Sequence, residues 1–391
     1  MKFSHMSDCH IGSWRENTLR EINLKCFETA VETSIENHVG FIIISGDLFD
    51  TALPSIDILK STAKILSRLR EYDIPVYVIP GSHDFSASGK TMLDVLENAG
   101  LITNVMKFDE DKRLIFTEDR TGAKLTGMYG RKGGLEEQDY NNMEKNHLEN
   151  EGGFKIFLFH TLLDEIKNDE FNMIEAPSIK ILPKNFDYYA GGHPHFVYAK
   201  HHDGHGMVAY PGPIFPNNFQ EIEKLKQGNF FIIEAGEFLK VNSIPLKAAE
   251  IVSYFISAEN KFPKEVENEI LKTVKDFNNK IITIRIEGCL KDGKTGDIDF
   301  GRIYENFKEA YCILRNTSKL TTKEFQRIDG EIKDVSSTEL SVIEQYSKDT
   351  LFSKDRVLQI MRCMDTEKHD GERNADFEAR VIKETADIIN I

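Results

Sequence analysis

Along the first half of the chain, short apolar runs alternate with stretches whose apolar positions recur every three or four residues. Lys2 to Met6, Phe41 to Ser45 and Val76 to Ile79 read as strands, and Phe41 to Ser45 is apolar enough to be buried on both faces. Asn17 to Asn37 and Ile56 to Tyr72 carry the helical period between them. A hairpin is expected from Leu114 to Thr117 and Lys124 to Tyr129, then a polar helix from Glu136 to Asn150 and a strand from Lys155 to Phe159. Tyr188 to Ala190, Val208 to Tyr210 and Asn229 to Ile233 add further strands. This rhythm predicts an α/β fold, a strand-rich sandwich rather than a simple parallel sheet.

Beyond about Pro245 the pattern changes scale. Ile251 to Ile256 and Lys280 to Glu287 read as strands, with helices from Lys264 to Phe277 and Asp299 to Ala310. They make a small α/β unit. From Thr321 the chain turns to charged helices, interrupted by the polar run Thr366 to Asn374. The expected division is 1–245, 246–320 and 321–391.

Composition adds constraints. With 391 residues, 40% of them hydrophobic, the chain can bury a sizeable core. It contains no apolar run long enough to span a bilayer, and Ser4, His5 and Asp8 interrupt the N-terminus where a signal peptide needs apolar residues. A cytoplasmic protein with no membrane partner is expected. The five cysteines are scattered and never paired as CxxC, which speaks against a disulfide framework or a thiolate zinc site. A net charge of −15 should repel a polyanion unless cations offset it locally.

The chemistry stands where strands end. Asp8 and His10 follow the first strand, one residue apart, so both side chains project the same way if extended geometry continues. Gly46 and Asp47 follow the second strand, and Gly81, Ser82, His83 and Asp84 the third. His160 ends a fourth, and Gly191, Gly192, His193 and His195 end a fifth. Five strand ends meeting at one edge would gather carboxylate oxygens and imidazole nitrogens, a donor set suited to Mn, Fe or Zn. Two such ions roughly 3.5–4 Å apart can clamp a phosphodiester and activate water. Two carboxylates against two divalent ions would leave the loaded site net positive by about two charges, enough to attract phosphate despite the global acidity.

Taken in order, D-x-H, G-D-x-x-D, G-S-H-D, the strand-terminal histidine and G-H-x-H resemble the calcineurin-like metallophosphoesterase superfamily. Ser7 to Gly12, Gly46 to Asp50 and Ala209 to Pro213 bring the chain closest to the SbcD/Mre-eleven DNA repair nucleases. That resemblance implies a two-sheet αββα metallophosphoesterase sandwich (1–245), a small α/β DNA-capping domain (246–320) and a helical tail that binds an ATPase (321–391). It implies Asp8, His10, Asp47 and His195 as ligands of a first metal, with Asp47 bridging to a second held by Ser82, His160 and His193. His83 would contact the scissile phosphate, with Asp84 orienting it. The implied cofactors are two Mn2+. The implied partners are DNA, an SMC-like coiled-coil ATPase of the SbcC type and a second copy of the chain. Ser82 departs from the family pattern, which has Asn there, and its hydroxyl reaches less far than an amide oxygen.

Plainer roles suit other positions. Asp50 reads as a cap for the following helix, and His5 as a satisfied core histidine. His201, His202 and His205 flank Asp203 and Gly204, which mark a hairpin turn rather than a metal site. Trp14 and Arg15 fit either DNA contact or loop packing, while Lys224, Lys226 and Lys272 to Lys280 suit a solvated face. The tail's spaced Leu340, Ile343, Tyr346, Leu351, Val357, Leu358, Met361, Phe377, Val381 and Ile388 suit packing onto the chain's own body or, as the resemblance implies and as is preferred here, docking onto the ATPase coiled coil.

The leading expectation is a metal-dependent DNA exonuclease and endonuclease, the nuclease subunit of a double-strand-break repair complex. The alternatives are a phosphodiesterase or phosphatase for small nucleotides, and a DNA-binding scaffold weakened catalytically by Ser82.

Overall fold

A computed structural model describes residues 1–85, 91–131, 136–169, 171–322, 354–364, 366 and 374–389. Two six-stranded sheets form its centre. In the first, β1 (Lys2–Met6), β2 (Phe41–Ser45), β3 (Val76–Ile79) and the short β4 (Thr103–Asn104) run parallel. The antiparallel β13 (Gly228–Ala235) and β14 (Leu239–Leu246) extend it beyond β1. The second sheet has β9 (Lys155–His160) between β8 (Lys124–Gly127) and β10 (Tyr188–Gly192), all parallel. Outside β10 come β12 (Gly206–Tyr210), also parallel, and then β11 (Tyr198–His202), antiparallel. Beyond β8 lies the antiparallel β7 (Thr117–Glu118).

Strict alternation along continuously apolar strands explains the layering. On β2, Phe41 and Ile43 enter the core between the sheets, while Ile42 and Ile44 enter the core beneath α1 (Asn17–Glu36) and α2 (Ile56–Glu71). On β9, Ile156 and Leu158 face the first sheet, while Phe157 and Phe159 face Tyr140 and Leu148 of α4 (Glu137–Asn142) and α5 (Asn146–Asn150). The order helix, sheet, sheet, helix is the expected αββα sandwich. Helix α1 buries Leu19, Ile22, Cys26, Phe27, Ala30 and Val31, a stripe at helical spacing.

Several local expectations change. Leu114 does not join Lys124 in a hairpin: β6 (Leu114–Ile115) pairs with β5 (Lys107–Phe108), and the strand opposite β8 is β7. Gly122, at φ 84°, makes the turn between β7 and β8. The polar helix breaks in two because Met143 is extended at ψ 128°. Asp50 caps no helix; α2 is capped by Ser55, whose hydroxyl accepts from the Ile58 amide. The turn at Asp203 and Gly204 does join β11 to β12, and His202 bonds Tyr198 within that ribbon. Two further helices, α3 (Met92–Asn98) and α6 (Phe219–Leu225), carry polar caps, Thr91 and Asn218.

Contacts divide the chain into two units. The sandwich unit takes Met1–Tyr254, Val274–Ile284 and Phe307–Asn316; the other takes Phe255–Thr273, Arg285–Asn306 and Thr317–Ile391. A three-stranded sheet orders β16 (Ile281–Leu290) between β15 (Ile251–Ser257) and β17 (Cys312–Thr322). Within the second unit, α7 (Pro263–Thr273) and α8 (Phe300–Asn306) bury Val266, Ile270 and Ile303, and Glu267 takes ion pairs from both Lys264 and Arg302. Helices α9 (Lys354–Met364) and α10 (Asn374–Ile389) are tied together by Arg356, which donates to the Ile388 carbonyl. The tail positions Leu340, Ile343, Tyr346 and Leu351 lie outside the described residues. Among the described residues, no helix is long and apolar enough to cross a membrane.

Candidate metal centre

Parallel strands put their carboxyl ends on one edge, and the five motifs therefore converge. Asp8 and His10 follow β1, Asp47 follows β2, Ser82 to Asp84 follow β3, His160 ends β9, and His193 and His195 follow β10. Close approach of these loops requires glycine. A Cβ on Gly46, which sits at φ 89°, would fall 2.2 Å from His160 Nδ1, and one on Gly192 would fall 2.1 Å from the Ser45 carbonyl. The candidate ligand residues also bend the backbone: Asp8, His10, Asp47 and His193 all have positive φ, at 50°, 40°, 52° and 94°.

Two donor sets result. One is Asp8, His10 and His195; the other is Asp8, Asp47 and His160. Asp47 reaches toward both, its Oδ2 lying 3.1 Å from His160 Nε2 and 3.6 Å from His10 Nε2. Asp8 Oδ1 lies 3.7 Å from His195 Nε2 and 4.0 Å from His160 Nε2, and it accepts the His193 amide at 2.9 Å. The His193 ring stands edge-on to His160 with centroids 5.3 Å apart. Ser82 Oγ comes no nearer to Asp47 Oδ2 than 3.4 Å.

These residues fit divalent ions. His160 is fully buried, and its Nδ1 proton goes to the Ser45 carbonyl at 2.8 Å, leaving Nε2 to present a lone pair. That Nε2 has no aligned hydrogen-bond partner although carboxylate oxygens surround it. A buried lone pair beside carboxylates calls for a cation. Proton affinities report the same demand. Burial alone would lower the pKa of His160, yet Asp47 and Asp8 raise it to about 10. Burial would raise Asp47, yet His160, His10 and the His83 amide hold it below the ordinary carboxylate range. Without an ion, a proton takes the cation's place.

His83 stands at the rim, about one-third exposed, with its ring edge-on to His10 at 4.7 Å and its amide bonded to Asp47 Oδ1 at 2.7 Å. Asp84 does not orient it. The Asp84 carboxylate accepts instead from the amides of Leu48, Phe49 and Gly81, bracing the loops after β2 and β3 against each other. Burial, followed by the nearby Asp47, pushes its pKa up to about 7. The His83 ring is held by the Asp50 carbonyl, and the Asp50 carboxylate lies near His10. His10, Asp50 and His83 thus form a third cluster, which the sequence reading passed over.

The remaining candidates have local partners. His5 bonds Tyr188 and Ser45 between the sheets. Trp14 packs against Phe215 and donates to the Pro216 carbonyl, while Arg15 is exposed. Lys226 donates to Ser253, and Lys280 pairs with Glu250 and Asp276. A cavity of about 630 Å3, lined by Thr161, Leu162, Phe171 and His193 among others, gives room beside the centre.

A family model for calcineurin-like phosphoesterases matches residues 1–196. The chain is also similar to proteins named DNA double-strand break repair protein Mre11. That of Methanococcus maripaludis is 26% identical, with 91% of each chain covered. That of Archaeoglobus fulgidus is 25% identical over 79% of this chain and 76% of its own. That of Sulfolobus acidocaldarius is 25% identical over 89% and 90%.

Proposed function

The chain belongs to the calcineurin-like phosphoesterase family, and on that premise we propose that it is a two-metal DNA nuclease of double-strand-break repair. The observation that carries this reading is the buried His160 Nε2, without an aligned hydrogen bond among the carboxylates of Asp8 and Asp47, the latter also bonded to the His83 amide. Similarity to the Mre11 proteins along most of the chain supplies the substrate class.

Asp8, His10, Asp47 and His195 would hold one ion, and Asp47, Ser82, His160 and His193 the other, with Asp8 close to both. Two Mn2+ ions, when bound, would polarise the phosphodiester and supply an activated water as nucleophile. The chain's own groups do the rest. Asp47 fixes His83 by accepting from its amide, and the Asp50 carbonyl accepts a hydrogen bond from Nδ1 of that ring. That leaves His83 Nε2 for the substrate, where, once protonated, it can stabilise the charge on the scissile phosphate and give its proton to the leaving oxygen. No nucleophilic side chain is needed, so no covalent enzyme intermediate forms.

We assign the protein to the cytoplasm, as a homodimer, with α9 and α10 docking on the coiled coil of an SMC-like ATPase. Met361 and Ile382 on those helices are exposed, as a docking face requires. The segment 246–320 would cap the DNA.

The decisive assay offers labelled duplex DNA and small phosphodiesters to the full chain with Mn2+. Cleavage of DNA that disappears with chelator supports the nuclease; turnover of the small esters alone ends that reading. Ser82 supports a second reading, a DNA-binding scaffold, because its hydroxyl is a poor ligand 3.4 Å from Asp47. DNA binding without turnover on either substrate would favour it.

A further inference from the structure

The two donor sets differ in what stands behind their imidazoles. His195 directs Nδ1 at Glu221 Oε1, 3.0 Å away. Glu221 is itself fixed, because Oε2 accepts the Asn217 amide at 2.7 Å and its own amide bonds the Asn218 side chain. His10 directs Nδ1 at Asp50 Oδ1, 3.3 Å away, close enough for attraction though not aligned as a hydrogen bond. The Nε2 atoms of these two histidines lie 3.2 Å apart, beside Asp8. Both rings of the first set therefore have a carboxylate behind Nδ1 and turn Nε2 toward a common point beside Asp8.

The second set is built otherwise. Behind His160 stands only the neutral Ser45 carbonyl, and the Ser82 hydroxyl is its weakest donor. A carboxylate behind a ligating histidine fixes its tautomer and raises its basicity, and losing such a partner typically costs about 10–100-fold in metal affinity. Resting on the two-metal reading above, we propose that Glu221 and Asp50 are positioning residues that make the Asp8, His10 and His195 site the tighter of two unequal metal sites. The second ion would then be the exchangeable one, bound last and lost first.

Mn2+ titration of the full chain by calorimetry tests this without reference to catalysis. Two binding steps are expected, the tighter abolished by His195→Ala and the weaker by His160→Ala. Glu221→Gln should weaken the tighter step about 10–100-fold and leave the weaker one in place. Because Glu221 also helps to start α6, the unfolding midpoint of the ion-free chain is measured alongside. If that midpoint falls, Asp50→Asn carries the test on the same step. An unchanged tighter step in both variants, or a loss confined to the step that His160→Ala removes, overturns the proposal. A chain that binds no Mn2+ at all overturns the two-metal reading itself, which is a separate and recognisable result.

Discussion

The Nδ1 atom of His83 lies 2.7 Å from the main-chain oxygen of Asp50. A carbonyl can only accept, so the proton belongs on Nδ1 and Nε2 is left for the substrate. His83→Ala should cut phosphodiester cleavage by about 10²–10⁴-fold while both ions stay bound, because the ring sits outside the two donor sets assigned to them. Stoichiometry by calorimetry together with single-turnover rates checks this; full activity in the variant would remove His83 from the reaction.

Gly192→Ala places a Cβ 2.1 Å from the Ser45 carbonyl and 2.8 Å from His160 Nδ1. The neighbours are backbone and a buried ring, which have nowhere to go. We expect a loss of about 1–3 kcal/mol in stability and weakened binding at the His160 site, read by chemical denaturation and metal titration. Denaturation and titration curves matching those of the unmodified chain would show that the loops are looser than described.

Ser82→Asn lengthens a side chain whose hydroxyl now donates a long hydrogen bond, 3.4 Å, to Asp47 Oδ2. An amide oxygen there should tighten the weaker Mn2+ step and raise cleavage at limiting metal. Equal or weaker binding would show that residue 82 takes no part in holding the ion.

His5 supplies a pH prediction away from the metal ligands. Burial, opposed in part by a hydrogen bond with the Gly191 backbone, lowers its pKa from 6.5 to about 3. The unfolded chain therefore takes up a proton below about pH 6.5 that the folded chain refuses. Stability should fall on acidification by about 1.4 kcal/mol per pH unit from this group, with full stability retained above that range. His5→Gln, compared with the parent in chelator, should be less stable at pH 7.5 but lose less between pH 6 and 4. Parallel pH profiles would contradict this.

How far the sequence could be read depended on whether the signal was local. β2, apolar up to its closing Ser45, and β3 lie on the expected residues, and the five strand-end motifs lead to one edge because parallel pairing brings them there. β14 escaped because Lys240, Asn242 and Pro245 break its apolar character, and because the alternation begun by Leu239 and Val241 stops at Ser243, leaving Ile244 out of phase. Glu221 did carry a local signal, but it was the wrong one. Asn218 followed three residues later by Glu marks a helix start, and nothing in sequence shows that the same carboxylate turns back to His195, 26 residues away. Asp84 misled in the opposite direction: adjacency to His83 suggested a partnership, whereas the side chains of neighbouring residues diverge.

The left-handed backbone at Asp8, His10, Asp47 and His193 also bears on protein engineering. Each such residue costs about 1–2 kcal/mol relative to a relaxed conformation, and glycine would relieve it. At Asp8 and Asp47 the carboxylates also satisfy the His193 and His83 amides, so a screen for heat tolerance, blind to activity, should recover glycine first at His10 and His193. Selection for durability and selection for cleavage would pull the same codons apart.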